Sequence, residues 1–323
     1  MSKRVLVTGS TGFVGANVAR RLIADGHEVN LLVRPGYQPW RIGDIRHTVR
    51  LHEVDLQDDA QLSRVVRQVR PEWFFHLAAH GAYPSQTNLQ EMVRTNLVGT
   101  INLLKAGLGA GFEAFVNAGS SSEYGLKDHP PSETEWLEPN SDYAVTKAAA
   151  THYCSYVGRR DGVHVVTLRL YSAYGPFEEP SRLMPTLVSH GLRGTLPPLV
   201  TPNIARDYVY VSDVADAFVR AAAQLNQPPG AVYNVGTGVQ TYLWQAVETA
   251  RTVLGIRAEP AWGSMPHRQW DTTTWIADRR TITEALDWTP RYTFEDGFRQ
   301  FVRWVQDTPF CWPQYGVARD RAR

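Results

Sequence analysis

Tyr143 and Lys147, four residues apart in Tyr143-Ala144-Val145-Thr146-Lys147, are the pair in this sequence best spaced for chemistry. Residues four apart on a helix share a face. A phenol with an ammonium one turn away has its ionised form favoured by the positive charge. Such a group can exchange a proton with a hydroxyl while a hydride moves to or from the carbon. The spacing alone is common, and a surface pair satisfies it equally well. Its weight rises with Gly119-Ser120-Ser121-Ser122-Glu123-Tyr124-Gly125, which lies just past an apolar run. A serine at the carboxyl end of a parallel strand can hydrogen-bond a reacting carbonyl oxygen and polarise it.

A second constellation lies near the start, in Val7-Thr8-Gly9-Ser10-Thr11-Gly12-Phe13-Val14-Gly15. Glycines at 9, 12 and 15 let the backbone turn sharply, approach a pyrophosphate, and pack a helix on a strand, with the helix N-terminus facing the negative charge. The spacing is Gly-x-x-Gly-x-x-Gly, not the commoner Gly-x-Gly-x-x-Gly. A dinucleotide fold that takes NAD usually carries an acid about 20 residues further on, bonded to a ribose hydroxyl. Here Arg34 stands near that place. Its guanidinium suits a 2′-phosphate, so NADP(H) is favoured. If Arg34 instead stacks on adenine or faces solvent, NAD(H) is the alternative. Asp55, just after the third apolar run, is placed to accept from the adenine amino group, or else to cap a helix.

These groups need a scaffold, and the first half of the chain supplies one. Apolar runs at 4–8, 28–33, 49–54, 73–76, 114–117 and 163–170 lack strict alternation, as expected for strands buried on both faces. Helical patterns at 14–24, 59–68, 89–110 and 142–160 lie between them. The reading is α/β: a doubly wound parallel Rossmann sheet with a smaller mixed α/β substrate lobe. The nucleotide domain is expected over 1–172 and the lobe over 173–323, with about 206–236 crossing back. Helices at 214–225 and 243–254 and a strand at 232–235 are expected after the proline-rich stretch that follows Gly175. The 323 residues carry a net charge of +1, which gives no electrostatic reason to expect a nucleic acid or an anionic membrane as partner. The two cysteines form neither a disulfide framework nor a metal-ligand spacing, so no metal is expected. No apolar run reads as a signal peptide or a bilayer span, and a cytoplasmic location is the expectation.

Together these motifs resemble the extended short-chain dehydrogenase/reductase family, which includes sugar-nucleotide 4-epimerases, 4,6-dehydratases and 4-keto-sugar reductases. Further landmarks are His76-Leu77-Ala78-Ala79, Thr95–Thr100, Arg169–Pro176, Arg206–Ala215 and Tyr233–Gly238. The resemblance implies Tyr143 as the proton-transfer group, with Lys147 holding the ribose and lowering the tyrosine pKa. It places the active-site serine at Ser120, with Ser121 and Ser122 close by. The implied cofactor set is Gly9, Thr11, Gly12, Phe13, Val14, Gly15, Arg34, Asp55, Leu56, Leu77, Ala78, Ala79, Asn96 and Tyr171 with the catalytic pair. His80, Ser121, Ser122, Tyr143, Ser172, Arg206 and Arg268 are implied on a nucleotide-diphosphate sugar. Arg206 matches the arginine expected on the pyrophosphate; its alternative is a salt bridge to Asp207. A homodimer through the 89–110 pattern and the Tyr143 helix is implied as well.

Two departures bear on the reaction. Resembling dehydratases carry an acid two positions before the turn tyrosine, where this chain has Ser122, with Glu123 one place later and aimed elsewhere. That disfavours 4,6-dehydration. Ser172 replaces the asparagine often found before the Tyr-Gly-Pro turn, which changes how the nucleotide is held. A 4-keto-sugar reductase using NADPH is favoured through Arg34, and a 4-epimerase is the alternative. A dinucleotide-sensing module without catalysis would show a broken Tyr-x-x-x-Lys or glycine turn, and both are intact.

Overall fold

The computed structural model describes residues 1–266 and 271–317. Its first half alternates strand and helix: β1 (Arg4–Thr8), α1 (Phe13–Ala24), β2 (Glu28–Val33), β3 (Arg50–Glu53), α2 (Asp59–Val69), β4 (Trp73–His76), α3 (Leu89–Met92), α4 (Gly99–Ala110), β5 (Ala114–Ser120), α5 (Asp142–Asp161) and β6 (Val165–Leu170). There follow β7 (Ser172–Tyr174), α6 (Leu183–Gly191), β8 (Ala205–Arg206), β9 (Tyr208–Tyr210), α7 (Val211–Ala223), β10 (Ala231–Val235), β11 (Thr241–Tyr242), α8 (Leu243–Leu254), α9 (Arg280–Leu286), α10 (Phe294–Asp307) and α11 (Trp312–Tyr315).

Seven strands form one parallel sheet in the order β3-β2-β1-β4-β5-β6-β10. Successive residues point to opposite faces. Val5 and Val7 of β1 therefore join one core, with α1, α7 and Trp288, while Leu6 joins another, with Phe74, Phe115, Leu103 and Leu104. Both faces being apolar, the inner strands β1 and β4 read as nearly unbroken hydrophobic runs, whereas the edge strand β3 is polar and partly exposed. The chain steps outward from β1 through β2 to β3, then returns to β4 on the other side of β1. The carboxyl ends of β1 and β4 part at that reversal, and there the sheet opens a crevice.

A third core gathers Tyr174, Phe177, Leu187, Val247, Phe298 and Phe301, with Phe13 and Trp40 packed against it. Val209, Val214, Phe218 and Val235 lie instead in the first core, under the large sheet. Among the described residues no helix is long and apolar enough to cross a membrane.

Several elements differ from the sequence expectation, among them the unexpected helices α6, α9 and α11. β5 runs three residues further, to Ser120, because Ala118, Gly119 and Ser120 pair with Leu168, Arg169 and Leu170 of β6. The expected single helix over 89–110 contains a π-helical turn at Val93–Val98. α10 was not read at all, although Thr293 caps it and Phe298, Phe301, Val302 and Val305 recur at helical spacing on its buried side.

Candidate active site

The turn after β1 is fixed by backbone sterics. Gly9 has φ +69°, and a Cβ there would sit 2.4 Å from the carbonyl carbon of Leu77. A Cβ on Gly15 would lie 2.2 Å from the Gly9 carbonyl oxygen. Both positions exclude a side chain, one for the approach of the β4 loop, the other for the seating of α1. Gly12 differs: a Cβ would meet only the Gly9 oxygen, at 3.1 Å. Internal packing demands glycine less strictly there than at Gly9 and Gly15. No side chain caps α1, and the unpaired N–H groups of its first turn form an anion site. A pyrophosphate fits this cradle. Thr11, Phe13 and Val14 line the same turn, half-buried.

The crevice wall opposite is tied to that turn by hydrogen bonds. Thr8 Oγ1 accepts from the N–H of Leu77 and Ala78, each at 3.2 Å, and lies 2.7 Å from His76 Nδ1. His76 Nε2 is 2.8 Å from Thr100 Oγ1, which donates to the Asn96 carbonyl. Burial pushes the His76 imidazole down to about 3, so it is neutral, and the chain runs from Thr8 hydroxyl to Nδ1 and from Nε2–H to Thr100. Asn96 sits in the π-helical turn, fully buried; its side chain accepts from His80 N and donates to His80 O and Thr146 Oγ1. It thus braces the loop that carries Leu77, Ala78, Ala79 and His80 against α5. Arg34 stands exposed one residue beyond β2, with no hydrogen bond or ion pair among the described residues. Asp55 is exposed and accepts from Gln57 N at 2.9 Å, and the cap of α2 is Asp58. Leu56 is buried beside it.

Ser120 ends β5, and Tyr143 is the second residue of α5. Burial pushes the Tyr143 phenol up to about 12; a hydrogen bond with Ser120 pulls the other way, Glu123 and Tyr83 add to the rise, and Arg182 opposes it. Burial thus acts against the easing of ionisation that the spacing predicts. Lys147 is itself buried and donates from Nζ to the Ala118 carbonyl at 2.5 Å. Desolvation of the phenol outweighs any help from the neighbouring ammonium. Ser120 Oγ also lies 2.7 Å from Ser122 Oγ, and Ser121 is buried behind the turn.

Beneath the serines lies a charge pair whose role was not read from the sequence. Glu123 is fully buried; Oε1 accepts from Ser120 N at 2.8 Å and Thr151 Oγ1 at 3.0 Å, and Oε2 accepts from Arg169 Nε at 2.9 Å. Arg169 also donates to Tyr124 Oη, which donates to Asn234 Oδ1. The available signal was Arg169 itself: an arginine inside a buried parallel strand requires a counter-charge.

Arg206, expected on the substrate pyrophosphate, does not pair with Asp207, the alternative reading of that residue. It lies 3.8 Å from Asp271 and over the Trp275 ring. Asp207 instead accepts from Thr237 N, Thr237 Oγ1, Gly238 N and Ala277 N at 2.6–3.0 Å. Those donors leave the acid no need of a cation. Ser172 N donates to the Asp207 carbonyl, and Ser172 pairs with Tyr208 across β7 and β9. Ser121 and Tyr171 line one small pocket with Tyr124 and Trp275, and the Tyr171 hydroxyl is buried without a partner. Arg268 lies outside the described residues. Tyr83 and Arg182 reach the Tyr143 environment from the loop after β4 and the N-cap of α6; of the two, Arg182 carried no local motif that would have marked it.

The sequence model of the NAD dependent epimerase/dehydratase family matches residues 5–236. The chain is 28% identical to a dTDP-glucose 4,6-dehydratase of Neisseria meningitidis serogroup B, over 96% of this chain and 95% of that one. Among solved structures it is similar to a UDP-glucose 4-epimerase of Thermotoga maritima with UDP-glucose, at TM-score 0.85 and 26% identity, covering 94% and 99% of the two chains. It is also similar to MoeE5 in complex with UDP-glucose and NAD, at TM-score 0.81 and 30% identity, with the same coverage.

Proposed function

This chain belongs to the NAD-dependent epimerase/dehydratase family, and from that premise we propose that it moves a hydride at C4 of a nucleotide-diphosphate sugar and acts as a 4-epimerase. The observation that carries the reading is the meeting of Ser120 and Tyr143 at the carboxyl end of β5, beside a glycine cradle shaped for a pyrophosphate. A nicotinamide dinucleotide bound in that cradle supplies or accepts the hydride. Tyr143 exchanges a proton with the C4 oxygen, accepting it as the phenolate when the alcohol is oxidised and donating it as the phenol when the ketone is reduced. Ser120 donates to the C4 oxygen and holds it against Tyr143. Lys147 is the cation of the pair. Arg206, with Trp275 beneath it, is assigned to the substrate pyrophosphate.

Dehydration lacks its acid. Ser122, at the position where the family's dehydratases carry one, bonds Ser120, and Glu123 faces inward to Arg169. That separates the proposal from the Neisseria relative and supports the likeness to the Thermotoga epimerase. Epimerisation thus moves ahead of the one-way reduction favoured by the sequence. Reduction stays as the second reading because of one feature, the exposed Arg34 at the end of β2.

The test is to denature the purified protein, identify any dinucleotide released, and then assay UDP-glucose for conversion to its C4 epimer. Near-stoichiometric NAD⁺ with interconversion supports the epimerase. An empty site that binds NADPH well above NADH, with no interconversion, would shift the assignment to the reductase. The Tyr143→Phe variant should keep the dinucleotide and lose about a hundred- to ten-thousand-fold in turnover; full activity would remove Tyr143 from the mechanism.

A further inference from the structure

The Glu123–Arg169 pair belongs to no part of the reaction as derived, yet it lies directly behind the residues that do. We infer that Glu123 is a positioning residue for the proton-transfer group: its buried carboxylate fixes the main chain of Ser120, ties β5 to α5, and is the acid that faces Lys147 and Tyr143 from behind. This rests on the reading of Tyr143 given above.

The geometry makes the first half of the argument. The same oxygen, Oε1, accepts from Ser120 N at 2.8 Å and from Thr151 Oγ1 at 3.0 Å, so one atom ties β5 to α5. Ser120 and Tyr143 belong to those two elements, so this link sets their separation. Arg169 of β6 holds the other oxygen at 2.9 Å, and Gly119 is paired with Arg169 across the sheet. A Cβ at Gly119 would lie 2.9 Å from Glu123 Oε1, so the absence of a side chain there is what admits the carboxylate.

Electrostatics make the second half. The groups facing Glu123 are Arg169 of β6, Thr151 and Lys147 of α5, and Tyr124 of its own turn. The nearby Cys154 thiol is pushed up to about 12, chiefly by burial, and carries no charge. The groups facing Tyr143 are Ser120, Glu123, Tyr83 and Arg182, with Lys147 one turn along α5. Glu123 is the acid that raises Lys147 against its desolvation, and it raises Tyr143 as well. Removing the carboxylate must therefore lower both. For Tyr143 the sign is toward easier ionisation.

Tyrosinate absorbance against pH, taken as the difference between the full chain and its Tyr143→Phe variant, reads this one phenol without any substrate. In a Glu123→Gln background the ionisation should fall by about one pH unit, so that about tenfold more Tyr143 is phenolate at a given pH below the midpoint. Glu123→Asp keeps the charge and should leave the curve with the parent. Glu123→Gln sets an amide against Arg169; the double variant Glu123→Gln/Arg169→Met removes that uncompensated guanidinium and stands in if the single one does not fold. It should move the curve the same way. A curve unmoved in the Gln variants, or moved as far by Asp as by Gln, would overturn the inference. Failure of the underlying reading looks different: turnover surviving Tyr143→Phe, with the phenol still answering to Glu123.

Discussion

The turn after β1 and the wall made by β5, β6 and α5 face the same crevice, yet different forces hold them in shape. At the turn the constraint is steric and local. Gly9 and Gly15 are positions where any side chain would collide with backbone, within seven residues of each other. At the wall the constraint is polar and long-range. Ser120, Glu123, Thr151 and Arg169 come from three separate segments and are locked by hydrogen bonds among buried, partly charged groups. His76 joins the two regions, bonded through Thr8 to the turn and through Thr100 to the helix that carries Asn96. On the proposed reading, a cradle for a ligand's phosphates is specified by the absence of atoms, whereas a proton-transfer site is held by charges balanced in the interior.

The largest expected effect tests the charged half of that contrast. Arg169→Met leaves Glu123 buried beside Lys147 without its guanidinium, and breaking one partner of a buried pair costs about 3–5 kcal/mol. Chemical denaturation should show a loss of that size. Glu123→Gln added to Arg169→Met should recover most of it. A single variant within about 1 kcal/mol of the parent would mean that Thr151 and Ser120 suffice to hold the carboxylate.

The next largest tests the steric half. Gly15→Ala forces the Gly9 carbonyl to move and should cost about 1–3 kcal/mol, as overpacking does, along with dinucleotide binding. Gly12→Ala meets a single atom at 3.1 Å. It should leave the melting temperature close to the parent while lowering dinucleotide affinity at least about tenfold, or about 1.4 kcal/mol. Equal loss of stability in both variants would erase the distinction between a glycine needed by the fold and one needed by the ligand.

That contrast also decides what could be read before the structure. The glycine turn, the first five strands and α8 were legible because each depends on residues adjacent in sequence. The serine turn and the Tyr143–Lys147 helix were legible as motifs, but the pKa of the phenol was not. Spacing reveals the ammonium one turn away and conceals both the desolvation and the Ala118 carbonyl that accepts the ammonium's hydrogen bond. Glu123 was recognised as pointing elsewhere, without its destination, because its partner lies 46 residues on in another strand. The Arg206–Asp207 pairing looked natural from adjacency and fails because Thr237, Gly238 and Ala277 bring four donors from distant loops. α10 was passed over although its caps and its apolar period stand in the sequence.

The smallest expected effect is at Arg34, where the steric and the charged descriptions of the cofactor site give different answers. On the proposed reading the turn after β1 holds the pyrophosphate, which NADP(H) and NAD(H) share. The feature that bears on discrimination between them is Arg34 at the end of β2, exposed and unpaired among the described residues. An exposed guanidinium on a phosphate is screened by solvent, so its contribution is about 1 kcal/mol. Arg34→Gln should then lower NADP(H) affinity about fivefold to tenfold and leave NAD(H) unchanged, measured by titration of the nicotinamide or protein fluorescence. The NADP(H) loss should shrink as salt is raised. If both dinucleotides lose equally, Arg34 contacts the adenine face that the two share. In that case the exposed arginine no longer supports a one-way reductase, and the epimerase reading stands without a rival from the cofactor side.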